Sequence, residues 1–185
     1  LEWIARSRLH VLSLEEVSRA LQQQGAFPRR CVAITFDDGY AETYQVAWPC
    51  LKRHGFPATV FVTPAEVAQP GFVTWEQLRE LASDRFLIGS HTMSHQYLPL
   101  VEPAALEEEI GGSKRVLEER VGAPVQFLSY PVGGFTSTVQ AIAKQAGYHA
   151  ACTTNRAASR TTIDAFALRR IKMTDRDAHG LLCSA

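Results

Sequence analysis

Short apolar runs alternate along this chain with longer stretches of helical periodicity. Residues 31–36 (CVAITF) form a continuous apolar run, the pattern of a strand buried on both faces. Residues 58–63 (ATVFVT), 86–91 (FLIGSH), 125–131 (VQFLSYP), 149–154 (HAACTT) and 166–173 (FALRRIKM) predict further strands. Between them, 41–55 reads as a helix closed by Gly55 and kinked at Pro49. Thr74 with Gln77 three residues on predicts a capping box opening a helix over 74–82. A long helix is predicted over 102–122, with Pro103 in its first turn, Gly122 at its end and the Gly111–Gly112 pair weakening its middle. The acidic run at 106–110 (LEEEI) reads as a solvated face of that helix, and 137–147 reads as a last helix. Residues 1–30 read as a helical lead-in to a core over 31–173, all within a single domain, 1–185.

Repeated βα alternation implies parallel strands joined by crossover helices. It leaves two closures open, a doubly wound sheet or a (β/α) barrel. In both, function gathers at the carboxyl ends of the strands. Polar clusters follow three predicted strand ends: Asp37–Asp38, His91 and Tyr130–Pro131. Alone, Asp38–Gly39 is a turn signal; its recurrence with the other two clusters on one rim favours chemistry.

Composition narrows the picture only a little. Basic and acidic side chains balance at 19 each, so no net field favours nucleic acid or an anionic membrane. No apolar run is long enough to cross a bilayer. Cys31, Cys50, Cys152 and Cys183 include no CxxC pair, and the first and third border strand-like runs, so buried free thiols are expected. The chain opens at Leu1 in mid-pattern without an initiator Met, which reads as a fragment and leaves open whether a leader or anchor precedes it.

His91 and His95 lie four apart. On a helix they would share one face and could grip one metal ion. Where the protease motif HExxH carries Glu, this chain has Thr92, so a base must come from elsewhere. One carboxylate of the Asp37–Asp38 pair could complete a two-His, one-carboxylate site while the other accepts a proton from water. Such a donor set also suits Fe(II) oxygenases, but the spare carboxylate argues for hydrolysis. Hydrolysis of an acyl group needs a fixed donor for its oxyanion. Pro131 has no N–H, which leaves the Tyr130 N–H as the candidate, with Gly133 and Gly134 letting substrate approach the backbone.

TFDDG, SHTMSH, YPVGG and LRRIKM occur here in the order seen in polysaccharide deacetylases of carbohydrate esterase family 4, the NodB homology domain. The chain resembles that family from about Val11 to Met173, with FPATVFVT and WEQLRELA adding to the match. The resemblance implies a distorted (β/α) barrel with fewer than eight strands, incomplete at its N-terminus. It implies metal-dependent removal of acetyl groups from N-acetylated sugar polymers, with zinc as the expected ion and cobalt or nickel as alternatives. Within TFDDG it assigns Asp37 as base and Asp38 as metal ligand with His91 and His95. Tyr130 is the oxyanion donor, and Pro131 and Gly133 lie against substrate. The partner is an acetylated glycan and not nucleic acid, and the expected location is a bacterial cell envelope, the periplasm or outside the cell.

The pattern departs from the family in two places. Many members have Arg two residues before the loop Pro, orienting the catalytic Asp; this chain has Ser129 there. Many also place a general-acid His at a late strand end, where Thr174 stands, leaving His179, a water or a group beyond this chain as the candidate acid. The same site leaves an O-acetyl esterase or a small-amide hydrolase as alternatives, and the two departures add a weakly catalytic glycan-binding relative. His10, His54 and His149 read as structural or surface residues, and Trp48 and Trp75 as helix-face packing.

Overall fold

Five of the apolar runs become one parallel sheet. The computed structural model describes residues 2–23, 25, 27–155 and 163–173. Strands β3 (Thr35–Phe36), β4 (Ala58–Val62), β5 (Phe86–Ser90), β6 (Phe127–Ser129) and β7 (Ala150–Cys152) pair in the order β3-β4-β5-β6-β7. Each strand adds beside its predecessor, so the sheet has no point at which the winding reverses. That order belongs to a barrel and excludes the doubly wound alternative. The result is an incomplete barrel.

Period-two alternation sorts the side chains onto the two faces of this sheet. Val60, Val62, Leu128 and Ala151 pack with Leu51, Leu78, Leu81, Ile110, Leu117 and Val139 from the covering helices. Phe61, Phe127, Ala150 and Cys152 point the other way and meet Leu14 and Leu168. Burial pushes the Cys152 thiol up to about 12, so it stays protonated. Cys31, Cys50 and Cys152 are all free, the first two only half-buried; Cys183 lies outside the described residues.

Helix α1 (Glu2–Arg6) and helix α2 (Leu14–Gln22) form part of the lead-in, which is not wholly helical: β1 (His10–Val11) pairs with β2 (Cys31–Val32). The expected strand over 31–36 is therefore split, with Cys31–Val32 serving a two-stranded sheet and Thr35–Phe36 the main one. Its residues are half-buried, because it lies at an edge of the main sheet. The expected strand over 166–173 is also corrected. Only Leu168 bridges to Cys152, after a 3₁₀ turn at Ala165–Ala167. Arg169, Ile171, Lys172 and Met173 are exposed, so the run beyond Leu168 is not packed as a buried strand.

The helices follow their sequence signals closely. Helix α4 (Trp75–Ala82) opens with the Thr74–Gln77 capping box, and helix α7 (Ser137–Gln145) is capped by Thr136. Pro49 lies in α3 (Trp48–His54) and cannot donate to Gln45, and the preceding turn widens into a π segment, Thr43–Ala47. The long helix likewise divides into α5 (Pro103–Glu107), a π segment at Glu108–Gly112 and α6 (Ser113–Val121). No described helix is long and apolar enough to cross a membrane.

Candidate active site

Three loops at the carboxyl ends of β3, β5 and β6 meet at one rim. The Asp38 Oδ1 atom lies 3.3 Å from His91 Nε2 and 3.4 Å from His95 Nε2, and the three ligand atoms fall within 4.8 Å of one another. Ligand atoms held at 2.0–2.1 Å around a tetrahedral zinc ion stand about 3.3–3.4 Å apart. Both Asp38–imidazole distances match that spacing, and the donor set fits a zinc-sized divalent ion by its chemistry.

His91 is buried at the end of β5, and its Nδ1 lies 2.7 Å from the Ser129 carbonyl. Donation from Nδ1–H to that carbonyl orients the ring and turns Nε2 toward Asp38. Hydrogen bonding to His91 holds the Asp38 carboxyl below its ordinary range, although burial pushes upward; the neighbouring His91 and His95 charges add to the downward effect. The chain between the histidines is not helical, contrary to the spacing argument. Thr92 and His95 have φ of 68° and 59°, and the turn is closed by His95 N–H donating to Thr92 Oγ1.

Glu109 anchors that turn. It accepts from the Ser94 N–H at 3.1 Å, the Ser94 hydroxyl at 2.6 Å and Gln96 Nε2 at 3.1 Å, while its own carbonyl accepts from Met93 N–H. Glu107 and Glu108 are solvated as the acidic run suggested, but Glu109 is only 6% exposed, turned inward by the π segment. Glu109→Ala should leave the fold intact and weaken zinc binding by about 10- to 100-fold, the usual cost of losing a group that orients a ligand. Competition with a chromophoric chelator would measure it, and unchanged affinity would remove Glu109 from the site.

Asp37 lies beside the triad but outside it. Its two oxygens accept from Arg170 Nη1 at 2.7 Å and Nη2 at 2.6 Å. The same guanidinium reaches Ser129 Oγ at 3.0 Å, Thr35 Oγ1 at 3.2 Å and the Thr153 carbonyl at 3.2 Å. The cation missing at position 129 is thus supplied from the far end of the chain. The double arginine inside an otherwise strand-like run was the available signal, and it pointed to no partner.

The loop after β6 corrects three expectations. The Tyr130 N–H donates to the Cys152 carbonyl at 3.0 Å, continuing the sheet, so it is not free to meet an oxyanion. Pro131 and Gly133 are buried, so neither presents a surface to substrate. A side chain at Gly133 or Gly134 would collide with Thr154 or the Tyr97 ring, respectively, so these glycines admit protein rather than ligand. Val132 is the open residue, 69% exposed with φ of 57°, and its N–H has no acceptor among the described residues.

Thr174 and His179 lie outside the described residues. His10, His54 and His149 are exposed. Trp48 donates to Asp84 and Trp75 stacks under Arg120, both against the core, as packing residues do.

Residues 24–151 match the family model described as Polysaccharide deacetylase. The chain belongs to the polysaccharide deacetylase family. It is 31% identical over 174 residues to YxkH of Bacillus subtilis (strain 168), covering 94% of this chain and 62% of that protein. A peptidoglycan-N-acetylglucosamine deacetylase of Bacillus cereus is 34% identical over 122 residues, covering 64% of this chain and 54% of its own length. The chain thus spans little more than half of these curated relatives. Among solved structures, the Streptococcus pyogenes deacetylase PplD in complex with acetate superposes with a TM-score of 0.90 at 27% identity, over 98% of this chain and 81% of that one.

Proposed function

We propose that this polysaccharide deacetylase-family chain is a metal-dependent hydrolase that removes N-acetyl groups from a glycan containing N-acetylhexosamine. The observation that carries the reading is the division of the carboxylate pair: Asp38 joins His91 and His95, while Asp37 is held apart by Arg170. A divalent ion at the triad, zinc by donor type with cobalt or nickel as alternatives, would polarise the acetyl carbonyl and make water more acidic. Asp37 takes the proton from the attacking water. Two of its lone-pair sites are engaged by Arg170, and the remaining two are available for that proton. The water oxygen bonds to the acetyl carbon, the Val132 N–H donates to the oxyanion, and collapse breaks the C–N bond to give acetate and a free amine. The amine needs one proton, for which His179 and protonated Asp37 are the candidate donors.

The Bacillus cereus relative and the acetate in the Streptococcus pyogenes structure support this substrate class. A glycan of that kind places the reaction at the cell envelope, in the periplasm or outside the cell. The test is acetate release from N-acetylglucosamine oligomers and from an aryl acetate ester, with added zinc and after chelation. Metal-dependent release from the oligomers is expected. Release from the ester alone would instead make the protein an esterase.

A further inference from the structure

A cleft of about 320 Å³ opens beside Asp37, lined by Phe36, Asp37, Tyr40, Glu42, Val46 and Ala47 among others. Its volume lies at the small end of the range for ligand sites, enough for one pyranose ring and little more. One wall is the π segment Thr43–Ala47, where the Trp48 N–H reaches back to the Thr43 carbonyl. Such segments are frequent at functional sites. Here the segment leaves Val46 59% exposed on the rim. Tyr40, 49% exposed, is braced from behind by Phe72, with ring centroids 5.3 Å apart.

The charged side chains lining this cleft are both carboxylates. Asp37 is already paired with Arg170, whereas Glu42 has no ion-pair or hydrogen-bond partner among the described residues. An uncharged aromatic and apolar floor with a free carboxylate at its edge suits a sugar ring that carries a cation. It repels uronates and phosphorylated glycans.

We propose that this cleft is a subsite for a hexosamine with a free amino group, the neighbour in the chain of the sugar being deacetylated. The sugar's C–H face lies on Tyr40 and Val46, and its ammonium pairs with Glu42. The proposal rests on the deacetylase reading, because the ammonium sugar it selects is that reaction's product. It makes partly deacetylated chains better substrates than fully acetylated ones.

The test needs no turnover. Zinc-loaded protein is titrated at about pH 6 and low salt with a β-1,4-glucosamine tetramer and with cellotetraose, which carries hydroxyls in place of the amines and has nothing to hydrolyse. The glucosamine tetramer is expected to bind at least about 5-fold tighter, with the advantage shrinking as salt rises. Glu42→Gln should bring the two ligands within about 2-fold of each other. Val46→Trp, which fills the cleft from an exposed position, should weaken the glucosamine tetramer about 10-fold. Equal affinity in the unaltered protein, or a preference that survives Glu42→Gln, overturns the subsite; so does full binding by Val46→Trp. Amine-selective, Glu42-dependent binding by protein that releases no acetate from N-acetylglucosamine oligomers would instead sink the hydrolase reading and leave the subsite standing.

Discussion

Asp37→Asn should fold, bind one zinc ion and release acetate at least about 10²-fold more slowly than the unaltered protein. The rate loss follows from removing a proton acceptor at the reacting water, a contribution usually between 10² and 10⁴. Metal retention follows from geometry, since the ligand atoms belong to Asp38, His91 and His95 and Asp37 contributes none of them. Asn keeps the size of Asp but turns one Arg170 acceptor into a donor, so a modest loss of stability accompanies the change. Initial acetate release and zinc content, measured on the same preparation, separate the outcomes. Unchanged turnover would move the base elsewhere, and loss of zinc would make Asp37 a ligand. Asp38→Asn supplies the contrast, losing metal and rate together.

What the sequence made legible here is what depends on neighbours along the chain. Asp37, Asp38, His91 and His95 could be named because each follows an apolar run whose β identity is local, and parallel strands bring their carboxyl ends to one rim. The Thr74 capping box and the stop at Gly122 are local for the same reason. Residues whose role depends on distant partners were misread or missed. Arg170 meets Asp37 across 133 positions, and no periodicity encodes that pairing. Glu109 looked like its solvated neighbours until a π segment turned it inward. The absence of an N–H at Pro131 points to Tyr130 as the oxyanion donor, but the next strand takes that amide and leaves Val132 open. The incomplete barrel itself was legible chiefly through family resemblance, because βα alternation alone does not choose between its two closures.

Backbone strain shows why the rim was harder to read than the sheet. Among the described residues, seven non-glycine residues have left-handed φ, and four of them, Asp38, Thr92, His95 and Val132, belong to the site. Each such conformation costs on the order of 1–3 kcal/mol and persists only where surrounding contacts fix it. At Thr92 and His95 those contacts are a relay of hydroxyls. Ser113 meets Ser90, which accepts from the Thr92 N–H, and Thr92 accepts from His95. Local propensity disfavours this conformation most at the β-branched Thr92 and Val132, and the core beneath the site over-determines it there. The positions of the metal-site side chains are therefore a property of packed tertiary structure, although their identities are read in short motifs.

Removing Arg170 should be nearly as damaging as removing the base it holds. Arg170→Met takes away five contacts at once, to both Asp37 oxygens, Thr35, Ser129 and the Thr153 carbonyl. A displacement of Asp37 by about 1 Å is enough to cost about 10² in rate, so kcat should fall by that order while zinc content stays at one. All five Arg170 contacts are to protein groups, so the loss should fall on kcat, with KM changing by less than about 3-fold, about 0.7 kcal/mol at most. Stability should drop by about 2 kcal/mol, between the small value of an exposed pair and the larger value of a fully buried one. Arg170→Lys retains the charge but not the planar fork, and should recover little of the loss. The decisive comparison places the cation where many relatives have it. Ser129 Oγ already lies 3.0 Å from the Arg170 guanidinium, so Ser129→Arg combined with Arg170→Ser would aim the new side chain at the vacated space. If the guanidinium acts by fixing Asp37, the double variant should turn over faster than Arg170→Ser alone, a non-additive rescue that general loss of packing cannot produce. A double variant no faster than the single one would show that Arg170 serves the fold at Thr35 and Thr153 and not the base.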